Sequence, residues 1–434
     1  MNEEKTIIMG AGLAGLSCHK TLREFNKNPL GLERNNYYFG HARSYEFLDL
    51  KFDEGPHISF TNKLDIQKII WKESDSIITD PKIVNFWNGH WIPHPVITNA
   101  FRIPLFARLR LLGSFVRRPK YKIASNYLEW NERNFGKFYT HNFAESYTRK
   151  YWQEELIGLS VDWAGARVYT PTFLEVIIGF FEWTKKLNCK RNQHYFSEFH
   201  YPKQGGFENL FKALEPSENF ELDSEVVQVN LGEKYVVTKK GEKYDFNHVF
   251  NSIPIPDFLQ LVMDELPEAI TQAASKLRCT SLTLVDLVFD SAPFVDCHWA
   301  YVYDLKYSST RFHFPQLFSG GFDTPKRYAI QVEVYDSQIS RLKDSEIIEI
   351  ISKEIVELGV FSGSPIGSQV KRIKYANVVF DHNHNQATAE IRAFLSQHHI
   401  SLMGRYGKWD YSWSDDAIES GRQSALEYLE MEKS

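Results

Sequence analysis

The sequence predicts an α/β protein in which a Rossmann-type dinucleotide-binding domain is interleaved with a helical insert and a β-rich domain. Three observations carry that expectation. The chain opens on "TIIMGAGLAGLSCHKTLREF" (residues 6–25), an apolar run that passes through Gly10, Gly12 and Gly15 and continues with helical character. From about Asp65 to Lys190, apolar and aromatic residues recur at spacings of three and four, the period of a helix. Beyond residue 225, runs such as "EVVQVN", "SLTLVDLVF" and "RYAIQVEVY" stand between glycine turns as strands do.

Taken in order, Gly10 suits a tight turn, Gly12 admits a pyrophosphate to the backbone, and Gly15 lets the helix pack on the strand. The helix N-terminus then offers free N–H groups to the anion. A second run, "PLGLER", ends on Glu33, placed where an acid accepts a ribose hydroxyl bond. "FGHARSYEFLDLKFDEGPHISF" reads as a glycine turn and a hairpin that bring Gly55, Pro56 and His57 to one place. The helical insert is expected over 65–201, and the β-rich substrate domain over 276–397 with a helix at 344–358. Residues 1–64, 202–275 and 398–434 are expected to form the discontinuous cofactor domain, closing on a strand, a glycine turn and a helix that starts near Asp415. No internal repeat, low-complexity tract or flexible linker interrupts this order.

Composition bounds the function. A chain of 434 residues exceeds what one core organises, so more than one domain is expected. The formal charge of −5 argues against general nucleic-acid affinity, and no run of eighteen apolar residues is present to span a bilayer. "MNEEKTIIMG" is acidic and enters a strand at once, unlike a signal peptide. Cys18, Cys189, Cys279 and Cys297 lack C-x-x-C spacing, so neither a disulfide framework nor a metal site is expected, and a cytoplasmic setting fits. The basic stretch "FARLRLLGSFVRRPKYK" (106–122) reads as a solvated helix face, with contact to an anionic membrane surface as the alternative.

Several motifs in sequence order resemble the flavin amine oxidase and protoporphyrinogen oxidase superfamily and, within it, the UDP-galactopyranose mutases, more the eukaryotic type than the bacterial. The glycine turn with Glu33, then "FGHARS", then "FDEGPHISF" are similar to the superfamily's signatures. The resemblance implies an FAD lined by Gly10, Gly12, Gly15, Glu33, Gly40 and Arg43, with His57 against the isoalloxazine near N5. A core imidazole bonded to backbone is the alternative for His57. "WIPHPVITN", containing Pro93 and His94, is similar to a mutase segment that borders the nucleotide. "VDWAGARVYTP" and "HWAYVYDLKYSSTR" are similar to segments carrying diphosphate-binding arginines, here Arg167 and Arg311, the latter with Trp299 and Tyr301. "GRYGKWDYSWSDDAIESG" resembles the closing motif, in which Gly404, Arg405, Asp416 and Ala417 would meet the FAD and Tyr411 the substrate phosphates.

Arginine suits such a ligand on chemical grounds, because its fork meets a diphosphate bidentately and never loses its proton. A surface salt bridge is the plainer alternative for either residue taken singly. Two departures stand out: the mutases carry an aromatic where this chain has His94, and usually a tyrosine where it has Asn377. The first puts uridine in doubt; the second removes one phosphate hydroxyl.

The resemblance implies a cytoplasmic nucleotide-sugar mutase serving surface polysaccharide synthesis, in which N5 of reduced FAD attacks the anomeric carbon and pyranose and furanose forms interconvert. NAD(P)H is a candidate reductant and a homodimer a candidate assembly. The main alternative is an oxidase of the same superfamily, which passes hydride to FAD and wants an aromatic cage with a lysine near N5. A flavoprotein decayed to a binding role is the third.

Overall fold

The computed structural model describes residues 5–71, 74–120, 123–165, 168–181, 196–322 and 326–433. A parallel five-stranded sheet is assembled from distant parts of the chain, in the order Ile400–Leu402, His248–Asn251, Thr6–Met9, Leu30–Leu32 and Phe220–Glu221. The central strand Thr6–Met9 is buried along its whole length, as the unbroken apolar run requires of a strand covered on both faces. The helix that follows it, Leu13–Glu24, lies against the C-terminal helix Ser414–Met431. The contact is close because Gly421 has no side chain: a Cβ there would stand 2.0 Å from the Ala14 carbonyl oxygen.

A seven-stranded mixed sheet forms the second layer, in the order Gly367–Val378, Cys279–Phe289, Tyr328–Val334, Arg311–His313, Trp299–Val302, Ile83–Trp87 and His90–Pro93. Its outer face packs on the helix Asp344–Glu357 through Ile347, Ile351 and Ile355, which are all fully buried. The strands Val226–Asn230, Tyr235–Thr238 and Lys243–Asp245 make a small antiparallel sheet.

Within the expected helical stretch, the helices Leu105–Val116, Tyr127–Phe135, Glu145–Tyr151 and Phe173–Phe180 are present. Residues 76–93 differ, being three strands, Ser76–Thr79, Ile83–Trp87 and His90–Pro93. The reason is local. Asn88 and Gly89 both take positive φ, 47° and 77°, so "FWNGHW" closes as a two-residue hairpin, and Ile83–Trp87 then joins the large sheet in parallel beside Trp299–Val302. No described helix is long and apolar enough to cross a membrane.

Candidate active site

A cavity of about 860 Å³ runs between the two large sheets, and the glycine turn forms one end of it. Gly12 is the N-cap of the helix Leu13–Glu24; no side chain caps that terminus and its first turn holds no acid. The helix therefore presents unpaired N–H groups and the positive end of its dipole to the cavity. A Cβ on Gly12 would meet nothing within 4 Å, whereas one on Gly15 would lie 1.9 Å from the Gly10 carbonyl oxygen. Gly12 leaves room, and Gly15 allows contact. Gly40 closes over this turn, with the site of its missing Cβ 3.2 Å from the Gly12 Cα. Glu33, at the end of Leu30–Leu32, accepts from the Ala11 N–H (2.7 Å) and from the Asn35 N–H (2.9 Å), which fixes its carboxylate at the cavity edge. An open cradle, a bare helix N-terminus and a fixed acid fit the pyrophosphate and ribose of a dinucleotide such as FAD.

The opposite end is built from the large sheet and from the helix Glu145–Tyr151. Arg311 donates through Nε and Nη2 to both oxygens of Glu333, at 2.8 and 2.7 Å, and Glu333 is only 1% exposed. Burial by itself lowers the pKa of Arg311, but the Glu333 carboxylate outweighs it and the net shift is upward. Arg405 donates from Nη2 to the Ala376 carbonyl oxygen and to Asn377 Oδ1, both at 3.0 Å, while its Nε is buried without a protein partner. The Tyr151 hydroxyl donates to the same Asn377 oxygen at 3.0 Å. Tyr151, Tyr301, Tyr335 and Tyr411 line this end together with the two arginines. The Arg405 guanidinium lies 5.1 Å from the Tyr411 ring centroid, and the Tyr151 and Tyr335 centroids are 4.8 Å apart.

His57 sits between the two ends. The turn before it is tied to the large sheet by Gln331, which accepts from the Gly55 N–H (3.0 Å) and donates to the Asp53 carbonyl oxygen (2.9 Å) and to Asp286 (2.8 Å). The imidazole stacks on Phe207 at 5.2 Å, and its Nδ1 is buried without a protein partner. Burial lowers its pKa to about 4, with Glu54 opposing and the charges of His41, Arg311 and Arg405 assisting, so the ring is neutral at pH 7. Glu54 itself, raised by burial, is held down to about 2 by His41 at 2.6 Å and Lys371 at 2.5 Å. A neutral ring with an unused nitrogen can accept or donate one hydrogen bond.

Of the residues singled out from sequence, Gly10, Gly12, Glu33, Gly40, His57, Trp299, Tyr301, Arg311, Asn377, Gly404, Arg405, Tyr411 and Ala417 line the cavity. Gly15 lies beneath the turn. Arg43 does not line the cavity; its guanidinium covers the Tyr37 ring at 3.6 Å. Asp416 does not line it either, because its carboxylate takes Lys63 Nζ (2.8 Å) and the Trp413 N–H (3.2 Å) and helps to cap the last helix. Pro93 and His94 stand behind the wall, where His94 packs 5.2 Å from the Tyr301 ring and contacts Asn85 at 3.1 Å. Burial lowers its pKa to about 4. Arg167 lies outside the described residues.

Sequence reasoning missed Tyr151, Glu333, Tyr335 and Lys371. A signal existed for three of them. In the strand Tyr328–Val334, Gln331 and Glu333 are polar residues two apart in an otherwise apolar buried run, and Tyr335 continues the same alternation. Polar groups buried on one face of a strand need partners, which marks that face. On the helix, Tyr147 and Tyr151 fall four apart and their rings stack at 5.2 Å.

A profile of NAD(P)-binding Rossmann-like domains matches residues 8–71. Among solved structures, a reduced UDP-galactopyranose mutase superposes with a TM-score of 0.88 over 99% of this chain and 96% of that one, at 19% identity. A protein from Exiguobacterium sp. 255-15 assigned as a protoporphyrinogen oxidase superposes with a TM-score of 0.73 at 16% identity, over the whole of both chains. A putrescine oxidase variant redesigned in cofactor binding gives 0.68 at 12% identity, over 98% of this chain and 99% of that one. The chain shares their fold. At these identities the likeness carries architecture and not activity, and no curated protein matches by sequence.

Proposed function

We propose that the chain binds FAD and interconverts the pyranose and furanose forms of a nucleotide diphosphate sugar. The observation that carries this reading is the polarity of the cavity: a bare helix N-terminus with Gly12 and Glu33 at one end, and Arg311, Arg405 and four tyrosines at the other. The first end suits a dinucleotide; the second suits another polyanion with hydroxyl-rich neighbours. A UDP-galactopyranose mutase has the same architecture, at a TM-score of 0.88, so the fold accommodates this reading.

Reduced FAD would supply a nucleophile at the anomeric carbon without net redox change. The work of this chain is position and charge. Gly12 and the helix N-terminus hold the cofactor pyrophosphate, and Glu33 its ribose. Arg311 enters already aligned, because Glu333 fixes its plane and its Nη1 is not committed to that carboxylate. Arg405 and the hydroxyl of Tyr411 retain the departing diphosphate beside it, and Arg167 is assigned the same task. His57, neutral and with Nδ1 unused, orients a sugar hydroxyl or the cofactor edge by a hydrogen bond. Trp299, Tyr301 and Asn377 shape the substrate wall.

The oxidase reading rests on one observation: Lys371 lines the cavity, although Glu54 holds its ammonium. One experiment separates the two. Protein reduced with dithionite or NAD(P)H and supplied with UDP, GDP, CDP or dTDP sugars should yield a furanose product, and oxidised protein should yield none. Anaerobic bleaching of the oxidised flavin by an amine or a reduced ring substrate, with no furanose formed, would replace the mutase by the oxidase.

A further inference from the structure

None of the described residues of the basic stretch after the hairpin lines the cavity. From Pro81 to Leu128 the chain contains no Asp or Glu and eight Lys or Arg residues, in a protein whose formal charge is −5. The helix Leu105–Val116 turns Leu111 and Phe115 inward. Its outward face should be polar by the usual rule for surface helices. Instead Leu105, Phe106, Leu109 and Val116 are 60%, 73%, 53% and 57% exposed, interleaved with the exposed Arg102, Arg110 and Arg117.

A second helix widens this face. Phe173–Phe180 runs antiparallel alongside: Phe173 at its start stacks on Phe115 at 6.5 Å, and the Phe180 carbonyl oxygen at its end accepts from Arg108 Nη1 at 2.9 Å. It adds Phe173 and Leu174, 53% and 66% exposed. Large apolar side chains held in water and alternating with arginines mark a surface that meets a partner both apolar and anionic. A polyanion such as nucleic acid would use the arginines and leave the Phe and Leu side chains wet. A second copy docked face to face would bury the apolar groups but set Arg110 and Arg117 against their own like charges; the one carboxylate of the two helices, Glu175, is engaged at its own helix N-terminus, accepting from the Thr172 N–H (2.6 Å) and hydroxyl (2.8 Å).

We propose that this helix pair seats the protein on an anionic lipid surface, with the apolar side chains at the acyl boundary and the arginines at the headgroup phosphates. The test is flotation of the full-length holoprotein with vesicles of phosphatidylcholine alone and of phosphatidylcholine with 30% phosphatidylglycerol, a fraction of about one anionic lipid in three. Binding should appear only with the anionic vesicles and should weaken with salt. Replacing two interfacial cations in Arg110→Gln/Arg117→Gln should lower affinity by about 30-fold. Phe106→Ser/Leu109→Ser should also abolish flotation, with unchanged flavin spectrum and melting temperature, since both side chains are already in water. Failure of the parent to float, or undiminished flotation of the Phe106→Ser/Leu109→Ser variant, overturns the proposal. So does a stable parent dimer, seen by sedimentation, that the same variant dissociates. Neither result bears on the cavity, whose residues these variants leave intact.

Discussion

The Arg311–Glu333 pair permits a sharp separation of binding from stability. Glu333 is 1% exposed and both its oxygens face Arg311, so Arg311→Ala leaves a carboxylate buried without its cation. Removing one partner of a buried pair costs about 3–5 kcal/mol of folding stability. The same variant removes one charge-assisted contact to a diphosphate, worth about 1.5–3 kcal/mol, or roughly 10- to 150-fold in Kd. Adding Glu333→Gln removes the stranded charge and not the binding defect. The double variant should therefore regain most of its resistance to urea while binding free nucleotide diphosphates as weakly as Arg311→Ala. Urea midpoints and calorimetric titration with UDP, GDP, CDP and dTDP read the two quantities on the same samples, and the flavin spectrum checks that the cofactor is retained. If the double variant binds as the parent does, Arg311 serves the fold alone and the diphosphate assignment falls. If Arg311→Ala unfolds at the parent's urea concentration, the pair is not the buried unit described.

The two glycines of the turn should fail differently: Gly12→Val, whose side chain enters open space at φ −70°, should give folded protein without flavin, whereas Gly15→Ala, with its Cβ 1.9 Å from a carbonyl oxygen, should lose several degrees of melting temperature. Soluble, thermally normal Gly12→Val protein that keeps its flavin would remove the cofactor site from this turn. His57→Ala should retain FAD and slow turnover, and an unfolded variant with normal residual activity would make His57 a core residue. Acid should unfold the protein well above the carboxylate range. Burial lowers His19, His57, His94, His248 and His298 to about 4, so between pH 6.5 and 4 the unfolded chain binds protons that the folded one refuses. Asp53 and Asp286, raised by burial to about 6, act in the opposite direction but are fewer. Stability should then fall with falling pH by about 1.4 kcal/mol per pH unit for each net proton taken up on unfolding, and a urea midpoint flat from pH 7 to 5 would contradict this.

What the sequence made legible is the part governed by local chemistry. Strand, glycines, helix and acid within residues 6–33 define the dinucleotide turn because each residue acts on its immediate neighbours. The tyrosine-and-arginine end is different. Tyr151 comes from a helix, Arg311 and Glu333 from adjacent strands, and Arg405 from the turn before the last helix, and only the large sheet brings them together. Glu333 also changes how Arg311 is understood: a basic residue read as a ligand contact is also half of a buried pair, and no local pattern in "SSTRFHF" announces its partner. His94 shows the converse. Its replacement of an aromatic puts uridine in doubt by resemblance, yet the Asn88–Gly89 hairpin carries it behind Tyr301, which occupies the cavity wall. Any influence of His94 on nucleotide choice must pass through the position of the Tyr301 ring. His94→Phe should accordingly shift the preference among UDP, GDP, CDP and dTDP in the parent but not in Tyr301→Ala, which lacks the ring, so that the two effects are non-additive in a double-mutant cycle. Additive effects would mean that His94 reaches the nucleotide by itself, which the packing of the wall opposes.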